Sequence, residues 1–132
     1  MPHIHLEYSD NLKHLEIKPI LLKINQALIA AAYVNHPDDL KSRAVMQQDY
    51  VIGLNLETTQ AYLHAKVSLL SGRSAELRKQ ISDTVLKVML QEVPKQQDLT
   101  VQFCVEILEM SKETYGKAII AWKYAKDLYI TR

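Results

Sequence analysis

From Ala61 to Leu69 every second residue is apolar, with Ala61, Leu63, Ala65, Val67 and Leu69 alternating with Tyr62, His64, Lys66 and Ser68. A period of two puts the two sets on opposite sides of an extended chain, so this segment reads as a strand with one buried and one wet face. Residues 2–8 alternate in the same way, Ile4, Leu6 and Tyr8 opposing His3, His5 and Glu7. So do residues 100–110, where Val101, Phe103, Val105 and Ile107 oppose Gln102, Cys104, Glu106 and Leu108. Residues 42–53 read as a further strand. None of these strands can bury its apolar side alone, and the intervening sequence supplies the cover.

Two stretches have helical spacing. Ile20, Leu21, Ile24, Ala27, Leu28 and Ala31 form a stripe within residues 18–33, and Pro19 is compatible with a first turn. Leu77, Ile81, Val85, Val88 and Met89 share a face within residues 75–93, with Ser74 as N-cap, Glu76 in the first turn and Pro94 beyond the end. The order is therefore β-α-β-β-α-β. It divides into two similar units, about 2–56 and 57–110, followed by a tail, 111–132, whose Tyr115, Trp122, Tyr124 and Tyr129 suit an amphipathic helix. A single α+β domain over 1–132 is expected, with a four-stranded sheet, two helices on one face and a C-terminal tail. The other sheet face would carry His3, His5, Glu7, Tyr62, His64, Lys66, Cys104 and Glu106. Those residues suit solvent or a wet subunit interface rather than a dry core. A ferredoxin-like domain shares this element order but splits its β-α-β units, whereas a duplicated unit keeps each half's two strands parallel and adjacent.

Composition narrows the function by exclusion. At 132 residues the chain is long enough to bury about two thirds of its unfolded surface without a metal or disulfide staple. Sixteen basic against fifteen acidic residues leave a net charge of +1, without the basic footprint of a nucleic-acid binder. No apolar run approaches the ~20 residues of a membrane span. The lone Cys104 and the absence of a signal-peptide pattern place the expected location in the cytoplasm.

Several residues can carry chemistry. Removal of an initiator Met before Pro2 leaves a secondary amine, and an α-amino group titrates near 7.7–8.0, lower when buried. Arg73, in Gly72-Arg73-Ser74 between a strand and a helix start, is placed to grip a carboxylate with its guanidinium. Lys41 and Arg43, in Leu40-Lys41-Ser42-Arg43, lie on one side of their strand as further carboxylate contacts. His3-x-His5 with His64 and Glu7 or Glu106 has metal-ligand chemistry, but no motif completes a site and none is assigned. Cys104 lacks a legible His and Asn or Asp partner. No nucleotide-binding loop or nucleophile elbow is present, and no cofactor is expected.

Met1-Pro2-His3 with Glu7, Ser9, Asp10 and Asn11, Leu40-Lys41-Ser42-Arg43, Gly72-Arg73-Ser74 with Glu76 and Arg78, and Val105-Glu106-Ile107-Leu108-Glu109-Met110 together resemble the 5-carboxymethyl-2-hydroxymuconate Δ-isomerase family of the tautomerase superfamily. The resemblance implies a cofactor-free isomerase that converts an unsaturated 2-hydroxy (dienol) carboxylate to its conjugated keto isomer in aromatic-compound catabolism. It implies a homotrimer with active sites near subunit boundaries. Pro2, once Met1 is removed, would be the base, and Lys41, Arg43 and Arg73 would bind substrate. Lys41 stands where the family has Arg, which keeps the cation and loses the bidentate fork. The alternative reading is a non-catalytic trimeric binding protein that retains Met1.

Overall fold

The alternating segment around Leu63 becomes an inner strand of a four-stranded sheet. The structure is a computed structural model and describes residues 2–122 together with the backbone of residues 128–131. Along the chain come β1 (His3–Ser9), α1 (Ile17–Ala30), a 3-10 turn (Pro37–Asp39), β2 (Lys41–Gln47), β3 (Gln60–Leu70), α2 (Ala75–Glu92), β4 (Thr100–Met110), β5 (Ala118–Ala121) and β6 (Leu128–Thr131). The sheet order is β2-β1-β3-β4. β1 and β2 are parallel, β3 and β4 are parallel, and the two pairs meet along antiparallel β1 and β3. Parallel neighbours need a crossover, which α1 and α2 supply. Each helix thus joins two strands hydrogen-bonded side by side, so the split ferredoxin-like arrangement is excluded.

Both helices cover the same sheet face. Ile20, Ile24 and Leu28 of α1 and Ile81, Val85, Val88 and Met89 of α2 join Ile4, Leu6, Ala61, Leu63, Ala65, Val67 and Leu69 in one buried cluster. Each Leu or Ile buried to this degree contributes about 1.5–3 kcal/mol relative to exposure. The helix over residues 75–93 forms as its stripe and cap predict, with the Leu77 N–H donating to Ser74 Oγ at 3.1 Å. Ser9, fully buried at the end of β1, accepts the Tyr62 N–H on Oγ at 3.0 Å and so fastens β1 to the start of β3.

Two expectations are corrected. The strand expected over residues 42–53 stops at Gln47, where the Asp10 N–H bonds the Gln47 carbonyl. Among the described residues β1 is its only neighbour and ends at Ser9, so the ladder stops there; residues 52–55 instead close a bridge around Gly53, whose φ is +69°. The described part of the tail forms two strands rather than a helix, β5 pairing antiparallel with β6 so that Ile119 stands opposite Ile130 and Ile120 opposite Tyr129. β-branched and aromatic residues favour such pairing over a helix. Tyr124 lies outside the described residues.

Replacing Ser9 by Ala strands a buried N–H and is expected to cost about 1–3 kcal/mol. Ser74→Ala removes an exposed cap and is expected to cost about 1 kcal/mol. Urea unfolding of the two variants at equal protein concentration checks this order.

Candidate active site

The strand directions decide which chemistry meets. β1 begins where parallel β2 begins, and His3 pairs with Lys41 on one side and with Ser68, near the end of β3, on the other. Pro2, Lys41 and the Gly72-Arg73-Ser74 turn therefore share one end of the sheet. Pro2 is buried and its carbonyl accepts the Lys41 N–H at 3.3 Å. Arg43 and His3 both belong to the face opposite the helices, and an Arg43 guanidinium nitrogen lies 3.0 Å from His3 Nδ1.

His3 is held from both sides. Arginine can only donate, so Nδ1 accepts and the ring proton sits on Nε2, which donates to the Tyr115 hydroxyl at 2.7 Å. Burial, then the positive charges of Arg43 and Lys41, lower the His3 pKa, because a second ring proton would face the guanidinium. With Nδ1 taken by Arg43 and His64 paired with Glu106 at 2.9 Å, His3 and His64 are used in the network of this face. Glu7 is likewise engaged, with Lys66 at 3.4 Å.

Tyr115 comes from the segment that follows β4. β4 and β2 are the two edges of the sheet, so this segment must cross β3 and β1 to reach the far side. Tyr115 meets β1 at His3, and Lys117 Nζ then reaches Asp39 Oδ1, beside β2, at 2.8 Å. Between the strap and the start of β2 lies a cavity of about 490 Å³, lined by Asp39, Lys41, Tyr115 and Lys117 among others. Burial, followed by the adjacent Lys117 ammonium, pushes the Lys41 pKa down, and Asp39 opposes that shift.

Arg73 belongs to the same sheet end but a different microenvironment. Its guanidinium donates to the Leu70 carbonyl at 3.2 Å. Gly72, at φ +114°, leaves room for Lys112, whose Nζ would sit 2.9 Å from any Cβ there. Among the described residues no hydrogen bond or ion pair joins Arg73 to Pro2, Lys41 or Arg43. The structure brings Pro2, Lys41, Arg43 and Arg73 toward one end of the sheet and adds Tyr115, Lys117 and Asp39 around Lys41, which sequence reasoning did not single out. No local spacing signals those three, because only the crossing of the sheet brings them to β2.

The neutral state of His3 has a consequence for stability. The unfolded chain protonates its histidines near pH 6.5, whereas folded His3 and His5, both shifted down, resist protonation. Stability is therefore full above about pH 6.5 and falls as the pH drops from there toward the folded values. His3→Gln is expected to flatten this loss between about pH 7 and 5, measured by urea unfolding at several pH values; an unchanged slope would contradict it.

The family model for 5-carboxymethyl-2-hydroxymuconate isomerase matches residues 2–123. The crystal structure of a 5-carboxymethyl-2-hydroxymuconate isomerase from Deinococcus radiodurans R1 is similar at 28% identity over 88% of this chain and 87% of that one, with a TM-score of 0.75. A 5-carboxymethyl-2-hydroxymuconate delta-isomerase structure matches at 17% identity, 89% and 87% coverage and TM-score 0.75. A fused 4-OT wild-type symmetric trimer matches at 11% identity, 87% and 92% coverage and TM-score 0.63. The last two likenesses speak for the fold. No curated protein matches the chain in sequence. With the family model spanning nearly the whole chain and the parallel-pair topology in place, the chain belongs to the 5-carboxymethyl-2-hydroxymuconate isomerase family and is an isomerase of the tautomerase type.

Proposed function

We propose that the protein moves a proton within an unsaturated 2-hydroxy carboxylate, such as 5-carboxymethyl-2-hydroxymuconate, with Pro2 as the base. The observation that carries this reading is the buried Pro2 hydrogen-bonded to Lys41 at the sheet end where Arg43 and Arg73 also lie. With Met1 attached the Pro2 nitrogen is an amide and has no basic lone pair. Once Met1 is removed it is a secondary amine whose burial and cationic neighbours favour the neutral, basic form at neutral pH.

The amine takes the proton of the enol hydroxyl, the O–H electrons form the ketone, and the diene electrons shift along the chain. The proton then returns from the prolinium to the distal carbon, leaving a conjugated enone and a neutral amine. No atom is gained or lost, and proton relay by a base matched to ambient pH is sufficient in kind. Lys41, Arg43 and Arg73 hold carboxylate and stabilise the dienolate as negative charge spreads.

A homotrimer of about 45 kDa, three chains of 15.1 kDa, is part of the same proposal. The polar sheet face and the loop after β2, where Leu54 is 100% and Leu56 89% exposed, support self-association. The cytoplasm is the proposed location; no helix among the described residues is long and apolar enough to cross a membrane.

Methionine-processed protein is expected to ketonise dienol dicarboxylates or tricarboxylates, followed by absorbance. Pro2→Ala is expected to lower kcat/KM by about 10²-fold or more while leaving the assembly mass unchanged. Equal activity in that variant removes the base. An inactive processed wild type that still binds the acids favours a non-catalytic binding protein.

A further inference from the structure

On the uncovered face one side chain joins three elements. His3 of β1 receives an N–H of the Arg43 guanidinium, from β2, on Nδ1 at 3.0 Å, and its Nε2 lies 2.7 Å from the Tyr115 hydroxyl of the strap. The His3 and Tyr115 rings are tilted by 60° with centroids 6.0 Å apart, so they are joined by the hydrogen bond and not by stacking. Arginine has five N–H donors and no acceptor, so the Arg43 bond exists only while Nδ1 carries no proton. A neutral imidazole then bears its proton on Nε2, and Tyr115 supplies the oxygen that receives it. The Tyr115 hydroxyl thus decides, through the ring, whether Arg43 is held. The charges around His3 act in the same sense. Arg43 and Lys41 from β2 and His5 on β1 all disfavour a second ring proton, and the β3 residue opposite is the uncharged Ser68. Among the described residues no carboxylate forms an ion pair with Arg43, which is exposed and, without His3, would sample many rotamers.

We propose that His3 is the positioning residue of Arg43, with Tyr115 setting the ring tautomer, so that the guanidinium meets the substrate in one fixed orientation. The role of Arg43 toward substrate rests on the isomerase reading above. The bond to His3 uses one of the five N–H donors, and a two-nitrogen edge of the guanidinium is left to receive a carboxylate. Holding a flexible side chain in its bound geometry lowers the entropy cost of binding. The relay can be cut without releasing the strap. The Lys112 N–H bonds Ser71 Oγ at 3.2 Å and Lys117 pairs with Asp39, so the segment stays tethered on both sides of residue 115.

Ring state and reaction are read separately on Met1-free protein. In nitrogen NMR spectra at about pH 7.5, a unit above the ordinary histidine pKa, wild-type His3 is expected as the Nε2–H tautomer with a resolved Arg43 side-chain N–H signal. Tyr115→Phe is expected to lose that tautomer and to average the Arg43 signal. With a dienol dicarboxylate as substrate, Tyr115→Phe is expected to raise KM about 3- to 10-fold, the net scale of one hydrogen bond, with kcat within about twofold. His3→Leu, which has no acceptor, is expected to raise KM as much. His3→Asn, whose amide oxygen can stand in the place of Nδ1, is expected to restore the Arg43 bond and the wild-type KM. In that background Tyr115→Phe is expected to have no further effect. A wild-type Nδ1–H ring or an unchanged KM in Tyr115→Phe overturns the proposal. So does an equal rise in KM from Tyr115→Phe in both backgrounds, because the hydroxyl would then act by supporting the strap and not through His3. If no protein turns over, the isomerase reading falls, and the tautomer and Arg43 signals still decide whether His3 holds the guanidinium.

Discussion

The antiparallel pairing of β1 with β3 is the contact on which the remaining structure depends. Because side chains alternate across the sheet, its register puts Ile4 and Leu6 on the same face as Leu63, Ala65 and Val67, and both helices must then cover that face. A slip of one residue would turn the histidines of β1 into the core and its aliphatic residues out. The buried Ser9 Oγ, bonded to the Tyr62 backbone at the far end of this seam, opposes such a slip. The same register brings the start of β1 level with the end of β3, and so collects the cationic residues of both units at one end.

The uncovered face is held by polar pairing rather than by packing. His64 with Glu106, Lys66 with Glu7, and Arg43 with His3 and Tyr115 link neighbouring strands and the strap in small polar groups. Partly exposed pairs of this kind add little stability individually. Their effect is on orientation, since each fixes a side chain that would otherwise sample several rotamers. The His3 ring, with one nitrogen receiving and the other giving a proton, fixes the strap over β1 and thereby the position of Lys117.

The helices, three long strands and their faces were legible because periodicity is a local property: Leu63 and Val67 report their burial from their own spacing. The Ser74 cap and the end of α2 before Pro94 were legible for the same reason. The end of β2 depends instead on where its neighbour stops, which residues 42–53 do not encode. The strand character of the tail rests on β5 finding β6. Of the candidate site, Pro2, Lys41, Arg43 and Arg73 were marked by short motifs. Asp39 and Lys117 stand 78 positions apart and are joined only by the path of the strap, so nothing around either residue announces the other.

Joining two β-α-β units in one chain has a consequence for symmetry. β1 begins at His3, one residue after Pro2, and β3 begins at Gln60, so Thr59 occupies the corresponding place in the second unit. Its nitrogen is locked in a peptide bond and its carbonyl accepts the Thr100 N–H, just as that of Pro2 accepts the Lys41 N–H. The backbone of the two corners is alike, but Thr59, lying mid-chain, has no amine to present. Covalent continuity thus makes the two corners chemically unlike while their backbone bonding is the same.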